Sequence, residues 1–308
     1  MTGLIFPGQG SQEVGMGKAL ADAFPEAART FEEADDVLGA SLSRIAWEGP
    51  EEELTATRNA QPALLVHSVA AHRVLADRLG DVVAAAGHSL GEFSAHVAAG
   101  TLSFPDALRA VRLRGELMWE AGQQRPGTMA AVLGLSDEDA EAVCQEASQG
   151  GEGVAVPANL NAKGQIVLSG DVEAVERAGE AARAAGAKRV VPLNVSGAFH
   201  SPLMEPAEAG LREGLSSAKF HAPEFPVISN VTADAVDEGD AARDLLVRQL
   251  TSPVRWAESI GRMLDLGIER FVELGAGTVL CGLNRRNARG VPCASVGGPE
   301  GIQALDEV

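Results

Sequence analysis

VVAAAGHSLGEF, residues 82–93, is the stretch on which the fold turns. Val82 to Ala86 is apolar without alternation, the pattern of a strand buried on both faces of a parallel sheet. Gly87-His88-Ser89-Leu90-Gly91 then sets a serine between two glycines, where the strand has to give way to a helix. A turn that tight forces close backbone approaches, and glycines at 87 and 91 remove the side chains that would collide there. Strand, G-x-S-x-G, helix is the pattern of a nucleophile elbow, in which the serine projects from the turn and the amides of the helix start face a developing oxyanion. The same letters have a second reading. S-L-G-E is also a capping box, with Ser89 as helix N-cap and Glu92 answering it three positions on.

Outward from the elbow, Leu4-Ile5-Phe6 reads as a short first strand ended by the turn residues Pro7-Gly8-Gln9-Gly10, and helical patterns follow through Ala46. Gln61-Pro62 is expected to open a helix that continues over 63–79, and FPVISNV (225–231) and RFVEL (270–274) are expected to hold further strands. Between them the chain changes character, with strand 129–134, helix 137–147, strand 153–158, strand 164–169, helix 171–185 and strand 188–193. That order, βαββαβ, is the ferredoxin-like arrangement. The fold class expected is therefore α/β. Residues 1–125 and 194–308 would form a large α/β-hydrolase-like domain with a parallel sheet core, and residues 126–193 a small ferredoxin-like domain inserted into it.

The composition narrows the chemistry. Of the 308 residues, 45% are hydrophobic but only 4% aromatic, with no tyrosine, so the interior is built from Ala, Val and Leu and phenol chemistry is excluded. Lys and Arg number 25 against 43 Asp and Glu, a net charge of -18 that argues against nonspecific binding to nucleic acid or anionic membranes. Cys144, Cys281 and Cys293 form no CxxC pair and are odd in number, so neither a disulfide framework nor a metal site is expected, and a reducing cytoplasm fits. The amino terminus, MTGLIFPGQGS, has no basic residue before its short apolar run and does not read as a signal peptide. No stretch approaches the roughly 20 apolar residues of a membrane span, so a soluble protein is expected.

A serine hydroxyl needs a base to take its proton. Of the six histidines, His72 and His221 read as surface positions, His67 and His96 lie within helical patterns, and His88 is directed away from the serine beside it. His200 remains, in VSGAFHSPLM (195–204), a loop of small residues after a strand, where α/β folds place catalytic groups. A loop histidine that is merely hydrogen-bonded is the alternative.

With these residues in view, nine segments in order resemble the malonyl-CoA:acyl carrier protein transacylases and the related acyltransferase domains of polyketide synthases. They are FPGQGSQ (6–12), QPAL (61–64), GHSLGEF (87–93), RLRGELM (112–118), GTMAAVLG (127–134), SGAFHSPLM (196–204), SNVTA (229–233), QLTSPVRW (249–256) and ELGAGTVLCGL (273–283). The resemblance implies Ser89 as the acyl-carrying nucleophile, His200 as general base and acid, Gln9 and Leu90 as the oxyanion-hole amides, and the backbone carbonyl of Gln249 as the group that orients the imidazole. It implies that Arg114 pairs with the free carboxylate of malonate, which a planar guanidinium can hold by two parallel hydrogen bonds. Arg109, Arg112 and Arg114 together could otherwise be a solvated basic face. Gln61 is implied as a pocket-lining residue, or else only as a helix start; Asn161 and Gln165 would face the cleft from the small domain. Phe199 resembles the residue of malonyl-specific members, where the ring leaves no space for a methyl branch. Phe93 stands where many members have tyrosine.

The activity so implied is transfer of a malonyl group from malonyl-CoA to the phosphopantetheine thiol of an acyl carrier protein, for fatty acid biosynthesis. No tightly bound cofactor and no metal is expected, and the enzyme would work as a monomer in the cytoplasm. Because coenzyme A and carrier proteins are acidic, Lys188-Arg189, Arg285-Arg286 and Arg289 are candidate local contacts, unless they are ordinary surface charge. Three other readings share parts of the pattern: a serine hydrolase, a noncatalytic carrier-protein binding module, and a stand-alone acyltransferase serving a polyketide or polyunsaturated lipid synthase. Arg114 and the 126–193 segment weigh against the first, and the joint presence of Ser89, His200, Arg114 and Gln9 against the second.

Overall fold

The computed structural model describes residues 1–149 and 151–306. Its strands are β1 (Thr2–Phe6), β2 (Val82–Gly87), β3 (Gly127–Leu133), β4 (Ala155–Ala162), β5 (Gln165–Asp171), β6 (Arg189–Pro192), β7 (Val227–Ile228), β8 (Ala235–Val236), β9 (Arg270–Leu274) and β10 (Cys293–Val296). They form a six-stranded sheet in the order β10-β9-β1-β2-β7-β8 and a four-stranded sheet in the order β4-β5-β3-β6. In the larger sheet every pairing is parallel except that of β8 with β7 at the edge, so the expected parallel core carries one antiparallel rim strand. Leu4, Ile5, Phe6 and Ala84 to Ala86 are all fully buried, as continuous apolar strands covered on both faces must be.

The smaller sheet is antiparallel throughout. Its residues alternate in destination. Ala130, Val132, Ile166 and Leu168 pack with Ala140, Val143, Val175 and Ala178 of the helices Asp137–Gln149 and Val172–Ala184. Met129 and Val167, on the opposite face, join the core of the larger sheet. β4 runs past the expected strand end at 158, pairing with β5 as far as Ala162, and its tail also bonds outside its own sheet: Leu160 N–H donates to Val254 O at 2.9 Å and Val254 N–H to Ala158 O at 2.8 Å.

Several expectations are corrected. Pro62 does not open a helix but lies in the second turn of the helix Thr57–Leu75. A proline there cannot donate to the carbonyl four residues back, and that carbonyl, Arg58 O, accepts instead from Arg112 Nη1 at 3.1 Å. FPVISNV keeps only two residues in strand, since Ser229 and Asn230 turn toward the interior. The cysteines are not all free. Cys281, on the helix Val279–Asn287, is bonded to Cys293 at the start of β10, with Cα atoms 5.5 Å apart, and only Cys144 is a free, buried thiol. An odd count hides a pair that the fold, not the spacing, brings together, and the case for a reducing compartment drawn from unpaired cysteines loses its basis. His72 is half-buried, with burial lowering its pKa to about 4, while His221 is exposed. No helix among the described residues is long and apolar enough to cross a membrane.

Titration of unfolded, unreduced protein should count one thiol where the sequence holds three cysteines. Closing a loop of this length contributes about 3 kcal/mol, so a Cys281→Ser, Cys293→Ser double variant should melt roughly 5 °C lower and lose all sensitivity of its Tm to dithiothreitol. Three reactive thiols in the unreduced protein would contradict the bond.

Candidate active site

β2 ends at Gly87, and the chain passes through His88, Ser89 and Leu90 into the helix Gly91–Ala98. The turn is interlocked. A Cβ on Gly87 would stand 1.8 Å from Gly91 C, and one on Gly91 would stand 2.2 Å from Phe6 O in β1. Ser89 itself sits at φ 52, a left-handed backbone that residues with a Cβ rarely adopt and that persists only where surroundings impose it. Asn230, from the loop after β7, does the imposing: its Nδ2 donates to Gly87 O at 2.7 Å and its Oδ1 accepts from Ser89 N–H at 2.8 Å. The capping-box alternative fails on this geometry. Leu90 is the N-cap and no side chain caps it, while Glu92 accepts from Asn230 N–H at 3.1 Å and from Gln249 Nε2 at 2.6 Å.

Ser89 Oγ lies 2.8 Å from His200 Nε2, and His200 Nδ1 lies 2.9 Å from Gln249 O. A carbonyl can only accept, so Nδ1 carries the hydrogen and the Nε2 lone pair is left for the serine proton. His200 also has a left-handed backbone, φ 57. Burial, with Arg114 nearby adding to it, lowers its pKa to about 3, so the imidazole is neutral under ordinary conditions. A backbone carbonyl takes the orienting position that a carboxylate holds in a triad.

Arg114 comes from the helix Phe104–Gln124, which approaches the helix Thr57–Leu75 so closely that a Cβ on Gly115 would stand 2.8 Å from Arg58 Cα. Arg109 and Arg112 turn to Asp106 and Glu116 at the surface, whereas Arg114 is 1% exposed. Its Nη1 donates to Gln61 Oε1 at 2.6 Å, and its Nη2 to Gln249 Oε1 at 2.9 Å and Ser89 Oγ at 3.1 Å. Its Nε–H has no partner. Burial lowers its pKa to about 10, opposed by the charge of Glu92, and it remains a cation near neutrality. Nε and Nη2 form one edge of the guanidinium fork, the edge that can hold a carboxylate by two parallel bonds. A buried donor left unpaired beside a serine hydroxyl calls for an acceptor.

These groups open on a cleft of about 340 Å³ lined also by Gln9, Leu90, Met129, Asn161, Gln165 and Phe199. Gln9 Oε1 accepts from Thr57 Oγ1 at 2.8 Å. The backbone N–H groups of Gln9 and Leu90 have no acceptor among the described residues, which suits them to receive an oxyanion. Asn161 Oδ1 pairs with His88 Nε2 at 2.8 Å, and Gln165 accepts from Arg286 Nη1 at 3.3 Å, so Arg286 reaches the rim. Gln61 is brought to the site but not to the cleft wall: it stands behind Arg114, held to Thr57 Oγ1 at 2.9 Å. Lys188, Arg189, Arg285 and Arg289 do not line the cleft. Sequence reasoning assigned no role to Asn230, to the side-chain amide of Gln249 or to Val279, Leu280 and Leu283 along the cleft. SNVTA and ELGAGTVLCGL were the available signals for the first and last. Among the described residues no group of three or more His, Cys, Asp or Glu is placed to hold a metal ion.

The acyl transferase domain model matches residues 4–298. The chain is 47% identical over 299 residues to the malonyl CoA-acyl carrier protein transacylase of Bacillus subtilis (strain 168), covering 97% of this chain and 94% of that protein. To the enzyme of the same description from Escherichia coli (strain K12) it is 45% identical over 305 residues, covering 99% and 98%. Among solved structures, an acyl carrier protein S-malonyltransferase from Vibrio cholerae superposes with a TM-score of 0.94 at 42% identity, covering 99% of each chain. A malonyl-transacylase solved in complex with its type II polyketide synthase acyl carrier protein superposes with a TM-score of 0.95 at 45% identity, covering 100% of this chain and 99% of that one.

Because His200 stays unprotonated far below the ordinary histidine value of 6.5, labelling of Ser89 by a small neutral fluorophosphonate should hold its rate from about pH 8 down to about pH 5. His200→Ala should slow it by roughly 10²-fold or more. A rate that halves near 6.5 in both the wild type and Glu92→Gln would mean that the imidazole titrates freely.

Proposed function

The chain belongs to the acyl transferase domain family, and from that membership and the guanidinium beside its serine we propose that it transfers malonyl groups from malonyl-CoA to the phosphopantetheine thiol of an acyl carrier protein, supplying malonyl-carrier for fatty acid biosynthesis. The observation that carries the choice of acyl group is Arg114: a buried cation whose Nη2 lies 3.1 Å from Ser89 Oγ and whose Nε–H awaits an acceptor. An esterase acting on neutral acyl groups has no use for it.

In the first half-reaction Ser89 Oγ attacks the thioester carbonyl as its proton passes to His200 Nε2. The oxyanion is received by the N–H groups of Gln9 and Leu90. Collapse breaks the C–S bond, and the departing thiolate of coenzyme A takes the proton from the imidazolium, leaving a malonyl-serine ester. The second half-reaction runs the same steps with the carrier thiol as nucleophile, giving its proton to His200 as it attacks and leaving Ser89 protonated once more. Ping-pong kinetics follow. Throughout, Arg114 holds the far carboxylate through Nε and Nη2, which fixes the carbonyl over Ser89, while Gln61 and Gln249 hold the guanidinium. Phe199 supports malonyl over methylmalonyl, a methyl-sized discrimination of about 10- to 200-fold.

Residues 126–193 act as a small domain in this scheme, furnishing Met129, Asn161, Gln165 and Val167 to one wall. Arg286, hydrogen-bonded to Gln165, gives an otherwise acidic molecule a positive group at the cleft for an anionic substrate or partner. No resident cofactor enters the reaction, the only prosthetic group being the one that the carrier protein brings. The protein is read as acting as a monomer. It acts in the cytoplasm, where CoA thioesters are confined by their charge.

Intact mass spectrometry after brief exposure to malonyl-CoA should show a malonyl adduct that Ser89→Ala lacks and that moves to holo carrier protein on addition. An adduct that hydrolyses with or without carrier would make the protein a thioesterase. Arg114→Ala should lower malonyl loading by about 10²-fold or more while leaving acetyl loading little changed; equal losses for both acyl groups would remove the carboxylate from the account of Arg114.

A further inference from the structure

The two-step exchange makes no use of the Glu92 carboxylate, yet the groups it does use converge there. Glu92 lies in the first turn of the helix Gly91–Ala98 and is 0% exposed. Its Oε2 accepts from Gln249 Nε2 at 2.6 Å and Asn230 N–H at 3.1 Å, its Oε1 makes no hydrogen bond within 3.5 Å, and the Ser229 hydroxyl is a further donor beside the carboxyl group. The Gln249 carboxamide is therefore a bridge. Its Nε2 also donates to Ser89 O at 3.0 Å, and its Oε1 accepts from Arg114 Nη2 at 2.9 Å, while the backbone carbonyl of the same residue holds His200.

Arg114 is the charged group that faces Glu92 from the helix Phe104–Gln124; from the loop after β7 come only Ser229 and Asn230, and from the end of the helix Gly239–Arg248 only Gln249. The imidazoles of the neighbourhood are uncharged: His96, one turn further along the same helix, and His200, across Gln249, each lowered to about 3, and His88 lowered likewise by burial. The empty site thus holds one cation and one carboxylate. A malonyl group brings a second carboxylate into the same enclosed space, and like charges sharing a buried site raise one another's pKa. Burial has already pushed the Glu92 carboxyl up to about 7.

We propose that Glu92 is a positioning residue that takes up one proton from solvent, at Oε1, when a free acyl carboxylate occupies Arg114. An O–H bond forms on the oxygen not engaged by Gln249 or Asn230, and Oε2 keeps its hold on Gln249. The guanidinium is then released from its internal counter-ion to the substrate without a change in the groups that aim it. The proposal rests on the reading of Arg114 as the partner of the malonyl carboxylate. It makes the site selective for diacid thioesters in a pH-dependent way. The bound state holds more proton than the free state, so malonyl affinity falls as pH rises above about 7, by up to about tenfold per pH unit, and affinity for a carboxylate-free thioester does not.

The test is calorimetry on Ser89→Ala, which binds without reacting, using malonyl-CoA and acetyl-CoA near pH 8 in two buffers of different ionisation enthalpy. Malonyl-CoA should take up roughly half a proton more than acetyl-CoA. The same comparison in a Ser89→Ala, Glu92→Gln double variant should show no difference. In the otherwise native enzyme Glu92→Gln should flatten the pH profile of malonyl loading, an effect that a purely structural side chain would not have. Equal uptake from both thioesters, or a difference that survives Glu92→Gln, would overturn the proposal and leave the transacylase reading standing. Equal affinity of Ser89→Ala for the two thioesters at about pH 6 would instead remove Arg114 from carboxylate binding, and the proposal with it.

Discussion

There is no room for a single further atom where the second strand meets its helix. A methyl group at Gly87 or Gly91 would overlap backbone of the same turn or of the neighbouring strand. That steric constraint makes the rest possible. It brings the helix start against β1, forces Ser89 into a left-handed conformation, and so aims one hydroxyl away from the sheet and into a cleft. The strain does not relax because Asn230 holds both sides of the turn, by Gly87 O and by Ser89 N–H. With its own amide engaged in this way, Ser89 leaves the next one, that of Leu90, without a protein acceptor at the edge of the cleft.

Around that hydroxyl the protein has assembled charge in a medium that resists it. Arg114 and Glu92 are both fully buried, and neither meets the other directly; each touches a different end of the Gln249 carboxamide. A direct ion pair would satisfy both groups and leave little for a ligand. An amide between them satisfies each in part, which keeps a donor free on Arg114 and an acceptor free on Glu92. Unpaired buried groups cost stability, and on the proposed reading they are where an anion and a proton would be taken in.

Much of this was legible from the sequence because it is local. The elbow, the strand before it and the helix after it lie within residues 82–98, and glycine spacing reports sterics directly. The βαββαβ order could also be read, since alternation and turn residues are short-range signals. What could not be read depends on distant partners. Pro62 looks like a helix start until Arg112 is seen supplying the hydrogen bond that Arg58 O would lack. Cys281 and Cys293 look unpaired until a helix and a strand set them side by side. Glu92 looks like a cap because the residue that claims its carboxylate, Gln249, is 157 positions away. Gln61 came to the right site for a different task, bracing Arg114 from behind instead of facing the cleft.

The alternation of β3 and β5 separates two demands that usually compete. Met129 and Val167 meet the cleft, whereas Ala130, Val132, Ile166 and Leu168, on the opposite face of the same strands, knit that sheet to its own helices. Odd and even positions therefore answer to different packing demands. A lineage could reshape the wall of the pocket for a longer or bulkier acyl chain by exchanging side chains on one face alone, and the interior on the other face would be untouched. In a fold whose serine elbow admits no side chain at Gly87 or Gly91, this two-residue rhythm is where diversity can enter.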